Sequence, residues 1–279
     1  MAQDKPAYTL YTSSGKKTTW TKAVADLYGA DIVCFGELHN NPIAHWLTLE
    51  LLRDLTTLRG ADHMATGMEM LETDQDTALQ AYLSGQTDRK TFETSVKLWD
   101  NYPTDYRPVV SFCQAQRIPV LATNVPRSYA RLVSRGGPAA LDTLPPAERA
   151  LLAPLPYPID YDLPGYQAMR EMMAGHGGSF NPDHFVAAQA LKDATMAHRI
   201  LRGWKPGTLV LHLNGSYHSD NHEGIVWYLN HYRKGLTIKT LTVVEQDNIL
   251  QLDAEHRTKA DYIIVVPTSM TKTYLSDFE

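Results

Sequence analysis

The run DIVCF (residues 31–35) is apolar after its first residue and predicts a buried strand. Behind it, NPIAHWLTLELLRDLTTL (41–58) carries apolar residues at helical spacing after an early proline, which predicts a helix. HMATGMEM (63–70) is short and moderately apolar and reads as a second strand. Helices are expected over 73–84 and 88–99 and over DYRPVVSFCQAQR (105–117), with the short strand IPVLATN (118–124) after them. Residues 127–152 carry a helical pattern broken at RGGPAALDTLPP. From 154 to 180 the chain is rich in Pro, Gly, Tyr and Met and keeps no sustained period. Regularity then returns, with a long helix at about 183–202, strands at 208–213, 238–244 and 260–266, and a helix over 222–234.

Strands that alternate with helices predict an α/β fold, a largely parallel sheet flanked by helices, because parallel neighbours need a crossover and the crossover is usually a helix. The block 73–202, interrupted by one strand, is expected to form a mostly helical cap insertion. No linker-like stretch divides the 279 residues, so a single domain over 1–279 is expected.

Composition narrows the function. A net charge of −5 with no long basic run argues against a nucleic-acid binder, since neutralising phosphates needs a basic surface. Cys34 and Cys113 sit in apolar runs, form no CxxC motif and read as buried thiols. No stretch reaches the roughly 18 apolar residues of a membrane span. The small, polar segment AQDKPAYTL reads as the unstructured start of a mature, exported chain, and the Met before it as a cloning start.

Two turns share one pattern. GELH (36–39) follows the first strand, and GSYH (215–218) follows TLVLHLN. Each sets a glycine where the backbone is expected to turn sharply, and a histidine three residues on. Open α/β sheets bind ligands beyond the carboxyl ends of their strands, and both turns lie at such ends. Glu37 lies in the first turn, and Glu69 ends the apolar part of ATGMEM at another strand end. Glu37, His39, Glu69 and His218 are therefore expected to share a cleft. Two imidazoles with two carboxylates suit acid–base work or a divalent metal ion such as Zn, Mn or Fe. The plainer reading is that each histidine caps a helix or satisfies a buried hydrogen bond. Asp193 and Gln189, one turn apart on the long helix, either orient a ligand histidine or belong to a solvated face. Arg127, just past the strand 118–124, is placed to reach an anion or to start a surface helix. His222 would share a face with His218 only on a continuing helix. His45, His63, His176, His184, His198, His212, His231 and His256 read as surface or core.

CFGELHNNPIAHWLTLELL, GMEM, PVLATNVPR, AQALKDATMA and NGSYHSDNHEGI together resemble the ChaN-like family of bacterial iron-regulated haem-binding proteins. The resemblance runs from about residue 25 to residue 245, with the motifs in order. The wider superfamily is similar to erythromycin esterases and Tiki metalloproteases, which share paired Gly-x-x-His motifs and acidic partners. The resemblance implies haem as the cofactor, a role in iron acquisition, and export to the periplasm or outer membrane. It also implies a haem iron held by a tyrosine and two haems stacked between two protomers. A lipidation cysteine expected of such proteins is absent from this sequence, so a lipid anchor is expected only if one was lost with a leader.

Haem needs an apolar slot, an axial ligand and cations near its propionates. The irregular segment supplies Tyr157, Tyr161 and Tyr166 as candidate ligands. In GYQAMREMM, Tyr166, Met169 and Met173 share one helical face, and Arg170 lies one turn beyond Tyr166, where it could favour the phenolate or pair with a propionate. The same stripe would equally serve as a core face. Tyr102 and Tyr106 are reserve candidates. An exposed haem face would favour a homodimer through the segment 154–180. The alternative function is a metal-dependent hydrolase built on Glu37, His39, Glu69 and His218.

Overall fold

The protein is described by a computed structural model covering residues 4–174 and 181–274. His176 and the end of the irregular segment lie outside the described residues. Seven strands form one sheet: β1 (Thr9–Thr12), β2 (Ile32–Glu37), β3 (Met64–Glu72), β4 (Val120–Asn124), β5 (Leu209–Gly215), β6 (Ile238–Gln246) and β7 (Tyr262–Pro267). Their order is β1-β7-β6-β2-β5-β3-β4, and all neighbours are parallel except β1 against β7. This is the α/β architecture that the alternating pattern predicts.

Each crossover carries helices. On one face lie α1 (Trp20–Leu27), α2 (Pro42–Arg59), α3 (Asp76–Leu83), α4 (Arg89–Ser95) and α5 (Arg107–Gln116), whose apolar residues, such as Leu51, Leu79, Phe92 and Val110, share a core with Phe35 of β2. After the strand β4 come α6 (Arg127–Gly136), the short α7 (Pro146–Arg149), α8 (Pro164–Ala174), α9 (Pro182–Gly203) and α10 (Ile225–Tyr232). Helices α6, α8, α9 and α10 cover the other face through residues such as Val133, Met169, Leu191 and Leu229. The helices of the block 73–202 thus go to both faces of the sheet, on either side of β4.

Local chemistry sets the helix starts. Asn41 Oδ1 accepts the free N–H groups of Ile43 and Ala44, and Pro42 supplies the fixed φ of a first turn, so α2 begins three residues beyond the cleft-lining His39. The N-terminal segment differs from expectation. Thr9–Thr12 pairs with β7, Leu10 and Tyr11 are buried, and the Tyr11 hydroxyl donates to Ile249 O at 2.8 Å. Four residues are too few for a strand period to stand out from polar surroundings.

The topology fixes where a site can form. The connection leaving β2 runs to β3 on one side, and the connection leaving β5 runs to β6 on the other. β2 and β5 are adjacent, so a crevice opens between the two diverging connections at their carboxyl ends.

Candidate functional site

The two Gly-x-x-His motifs stand side by side at that crevice. Across the β2–β5 ladder Gly36 lies opposite Asn214, and Glu37 opposite Gly215. Both glycines stand where a side chain would obstruct, and they serve by close approach. Gly215 has φ −57°. A Cβ on Gly36 would lie 2.9 Å from Ser216 Cα, and one on Gly215 would lie 2.8 Å from His39 ring atoms. Side chains there would push the two turns apart.

Glu37 is fully buried and anchors one half of the site. Its Oε1 accepts from His39 Nδ1 at 2.8 Å and from the Tyr106 hydroxyl at 2.6 Å, while Oε2 lies 3.0 Å from His45 Nδ1. A carboxylate only accepts, so the His39 proton sits on Nδ1. Burial favours the neutral acid, but the bonds from His39 and His45 prevail and lower the Glu37 pKa. Burial likewise opposes charge on His39, and Glu37 with Glu69 overcomes it, raising that pKa. His45 Nε2 reaches Asp105 Oδ2 at 3.3 Å, and Asn101 donates to His39 O and to Asp105. Asp105 and Tyr106 come from a π-helical turn over Tyr102–Tyr106, which aims both inward ahead of α5.

Glu69 and His218 form the other half. His218 Nδ1 lies 2.6 Å from Asp193 Oδ1, and Nε2 lies 3.3 Å from Glu69 Oε1. Both ring nitrogens face carboxylate oxygens, so the ring is an imidazolium. Burial resists that charge, yet Glu69 and Asp193 push the pKa up to about 10. Glu69 Oε2 accepts the Gly215 N–H at 2.7 Å, and Asp193 Oδ2 accepts the Tyr166 hydroxyl at 2.6 Å. The orienting role considered for Asp193 from sequence matches this geometry.

Beneath the turns, His212 is fully buried and held between Thr123 Oγ1 (2.9 Å) and Asn214 Oδ1 (3.0 Å). Burial lowers its pKa to about 4, so it stays neutral. Asn214 in turn donates to Ser219 Oγ and Gly215 O, which fixes the second turn. Gly67 leaves room for this ring, since a Cβ there would lie 2.6 Å from it.

Glu37, His39, Glu69 and His218 all line one cleft of about 430 Å³. Its walls include Trp99, which meets the His39 ring edge-on at 4.8 Å, with Val125 and Tyr217; Arg127, Gln189 and Lys192 stand at its rim. As arranged, the four side chains form ion pairs rather than a coordination shell. Among the described residues, the group of three whose ligand atoms lie within 4.8 Å of one another is Asp253, Glu255 and His256, none of which lines this cleft. His222 sits in a separate turn with positive φ and bonds Asp261 at 3.3 Å.

The tyrosines differ in freedom. Tyr157 is buried and donates to Ala187 O at 2.9 Å. Tyr166 is buried, and burial together with Asp193 raises its pKa well above the ordinary value. Met169 is buried in the same core and Met173 half-buried against it. Arg170 is exposed and pairs with Asp183 at 2.7 Å rather than with Tyr166. Tyr161 is half-buried and donates to no described residue; burial and Asp183 raise its pKa, and Arg170 opposes the rise. Tyr102 and Tyr106 are sealed in the core.

From sequence, His45 and His212 read as ordinary core or surface histidines and Tyr106 as a reserve haem ligand; the fold instead brings all three to this site. The signal for His45 was its place on the first turn of the helix after GELH. Tyr106 and His212 gave none, because their roles depend on contacts far along the chain.

A family model described as haem-binding uptake, Tiki superfamily, ChaN, matches residues 23–229. No curated protein matches the sequence. Among solved structures, ChaN of Campylobacter jejuni, described with cofacial haem binding, superposes with a TM-score of 0.71 at 16% identity, over 93% of this chain and 96% of that one. An erythromycin esterase, EreC, gives 0.48 at 14% identity over 85% and 77%, and a Bacillus cereus protein gives 0.49 at 10% over 88% and 90%. The first likeness supports the fold, and the other two are too distant to add to it. On the family match, the chain belongs to the ChaN family of haem-binding uptake proteins in the Tiki superfamily.

Proposed function

We propose that this chain binds haem for iron acquisition and that a tyrosine of segment 154–174 holds the iron. The observation that carries this is the match of residues 23–229 to a haem-binding uptake family. The segment has parts that fit the group. Tyr161 has a phenol that no described residue holds, and Arg170 opposes the rise in its pKa that burial and Asp183 cause. Met172, on α8, is 63% exposed and offers apolar surface for a porphyrin. Tyr157 and Tyr166 are poorer ligands, because each would first have to leave a buried hydrogen bond. Tyr161 therefore replaces Tyr166 as first candidate. Haem would supply an iron that a phenolate can hold; Tyr161 would supply that oxygen, and Arg170 would supply a cation for a propionate. Haem held at such a surface is covered on its open face by a second protomer. The protein works outside the cytoplasm, in the periplasm or at the outer membrane, with membrane contact only through a lipid anchor.

Phe replacements at Tyr157, Tyr161 and Tyr166, each titrated with haemin, test this. The tyrosinate charge-transfer band should vanish in Tyr161→Phe and persist in the other two. A wild-type spectrum from all three variants would move the ligand out of this segment.

The alternative, a metal-dependent hydrolase at Glu37, His39, Glu69 and His218, requires His218 to lose a proton that two carboxylates hold. Neutral imidazole is the form that binds metal. Metal analysis of protein purified without chelator tests it: bound zinc or manganese with no haem response would favour it.

A further inference from the structure

The cleft between the paired turns carries cations that its ion pairs do not use. Arg127, at the first position of α6, and Lys192, on α9, both line it. Neither head group pairs with a carboxylate among the described residues. Asn124 ends β4 and lines the same cleft at 9% exposure, and its Oδ1 has no hydrogen-bond partner among the described residues. A buried amide left unpaired is costly, and ligands or ordered water normally satisfy such groups. Turning the amide over would present its N–H group instead.

The rim also holds one opposing group. Glu72 lines the cleft, and its Oε2 accepts the Arg127 N–H at 3.0 Å. The carboxylates of the floor are occupied: Glu37 by His39 and Glu69 by His218 and Gly215. What remains unpaired at the mouth is positive, and the wall amide, once turned over, adds an N–H donor beside it. That combination favours an anion.

We propose that this cleft is a second binding site, separate from the haem-bearing segment, for a small organic anion carrying a phosphate or carboxylate group. The anionic group lies between Arg127 and Lys192 with a hydrogen bond from Asn124. The rest of the molecule lies over His39, against Trp99 and Val125. A cleft of about 430 Å³ is within the range used for small ligands.

Calorimetric titration of the haem-free chain with inorganic phosphate, and separately with acetate, tests the proposal. Saturable binding of either at a single site is expected. Arg127→Gln and Lys192→Gln should each weaken it about tenfold, or roughly 1.4 kcal/mol, while Lys192→Arg retains it. Glu72→Gln should tighten it, a change that misfolding cannot imitate. Tyr161→Phe should bind the anion as wild type does, so that failure of the haem reading leaves this result intact. No saturable binding of either anion, or unchanged affinity in both Gln variants, would overturn the site. One-for-one competition between the anion and haemin would also overturn it, by assigning these cations to the carboxylates of haem itself.

Discussion

His218 stands between two acids, 2.6 Å from Asp193 through Nδ1 and 3.3 Å from Glu69 through Nε2, and Asp193 also accepts from Tyr166. Residues from β3, the turn after β5, α8 and α9 are thereby tied together at the carboxyl end of the sheet. Removing one member of a buried charge pair leaves the other uncompensated, which costs about 3–5 kcal/mol. Asp193→Ala should lower the unfolding free energy by that order in urea denaturation. Asp193→Asn, which keeps hydrogen-bonding capacity, should cost less. A loss below about 1 kcal/mol for Asp193→Ala would mean that the pair is not closed in solution.

The same pair predicts a pH dependence. The folded pKa of His218, about 10, lies above its ordinary 6.5, so the folded state binds this proton more tightly. Its contribution is complete below about pH 6.5 and is lost as pH rises toward 10. Glu69 is shifted the other way, below its ordinary 4.5. Its contribution is present above about pH 4.5 and is lost as pH falls through its lowered value. Stability should therefore decline from pH 6.5 to 10, and His218→Gln should flatten that limb in denaturation curves taken across pH. An equally steep alkaline limb in the variant would assign the loss to other groups.

Close approach at the paired glycines sets an order of costs. A Cβ on Gly36 would meet the backbone at Ser216 Cα, while one on Gly215 would meet the His39 side chain, which has some freedom to move. Overpacking typically costs about 1–3 kcal/mol. Gly36→Ala should fall at the upper end and Gly215→Ala below it, as read from thermal or urea unfolding. The reverse order would show that the turns separate more easily than the His39 ring moves.

Much of this site could be read from the chain because it is built where strands end. The runs before Gly36 and Gly215 are short and apolar, so the carboxyl ends were visible, and Glu69 was found the same way. The adjacency of β2 and β5 was not visible, because β3 and β4 lie between them in sequence. Tyr106 looked like a haem candidate, yet it is fully buried and donates to Glu37, 69 residues away in sequence. The stripe Tyr166, Met169 and Met173 was correctly spaced for a helix. Spacing alone could not say that it faces the core, where Tyr166 meets Asp193.

Assembly follows from the haem reading. A haem on the exposed part of segment 154–174 leaves one face to water, and covering it on a two-fold axis buries apolar area worth about 25 cal/mol per Å². A tenfold shift in dimerisation needs only about 1.4 kcal/mol of differential binding. Sedimentation velocity at low protein concentration should show haemin moving the chain toward a dimer. A monomer unchanged at saturating haemin would remove the shared-haem arrangement and leave binding by a single protomer.

Haem binding itself is checked by a visible titration of the purified chain with haemin. A shifted Soret band that saturates at a fixed ratio of haem to protein is expected, with a tyrosinate charge-transfer band beside it. A Soret band that grows without saturation, indistinguishable from haemin in buffer, would contradict it.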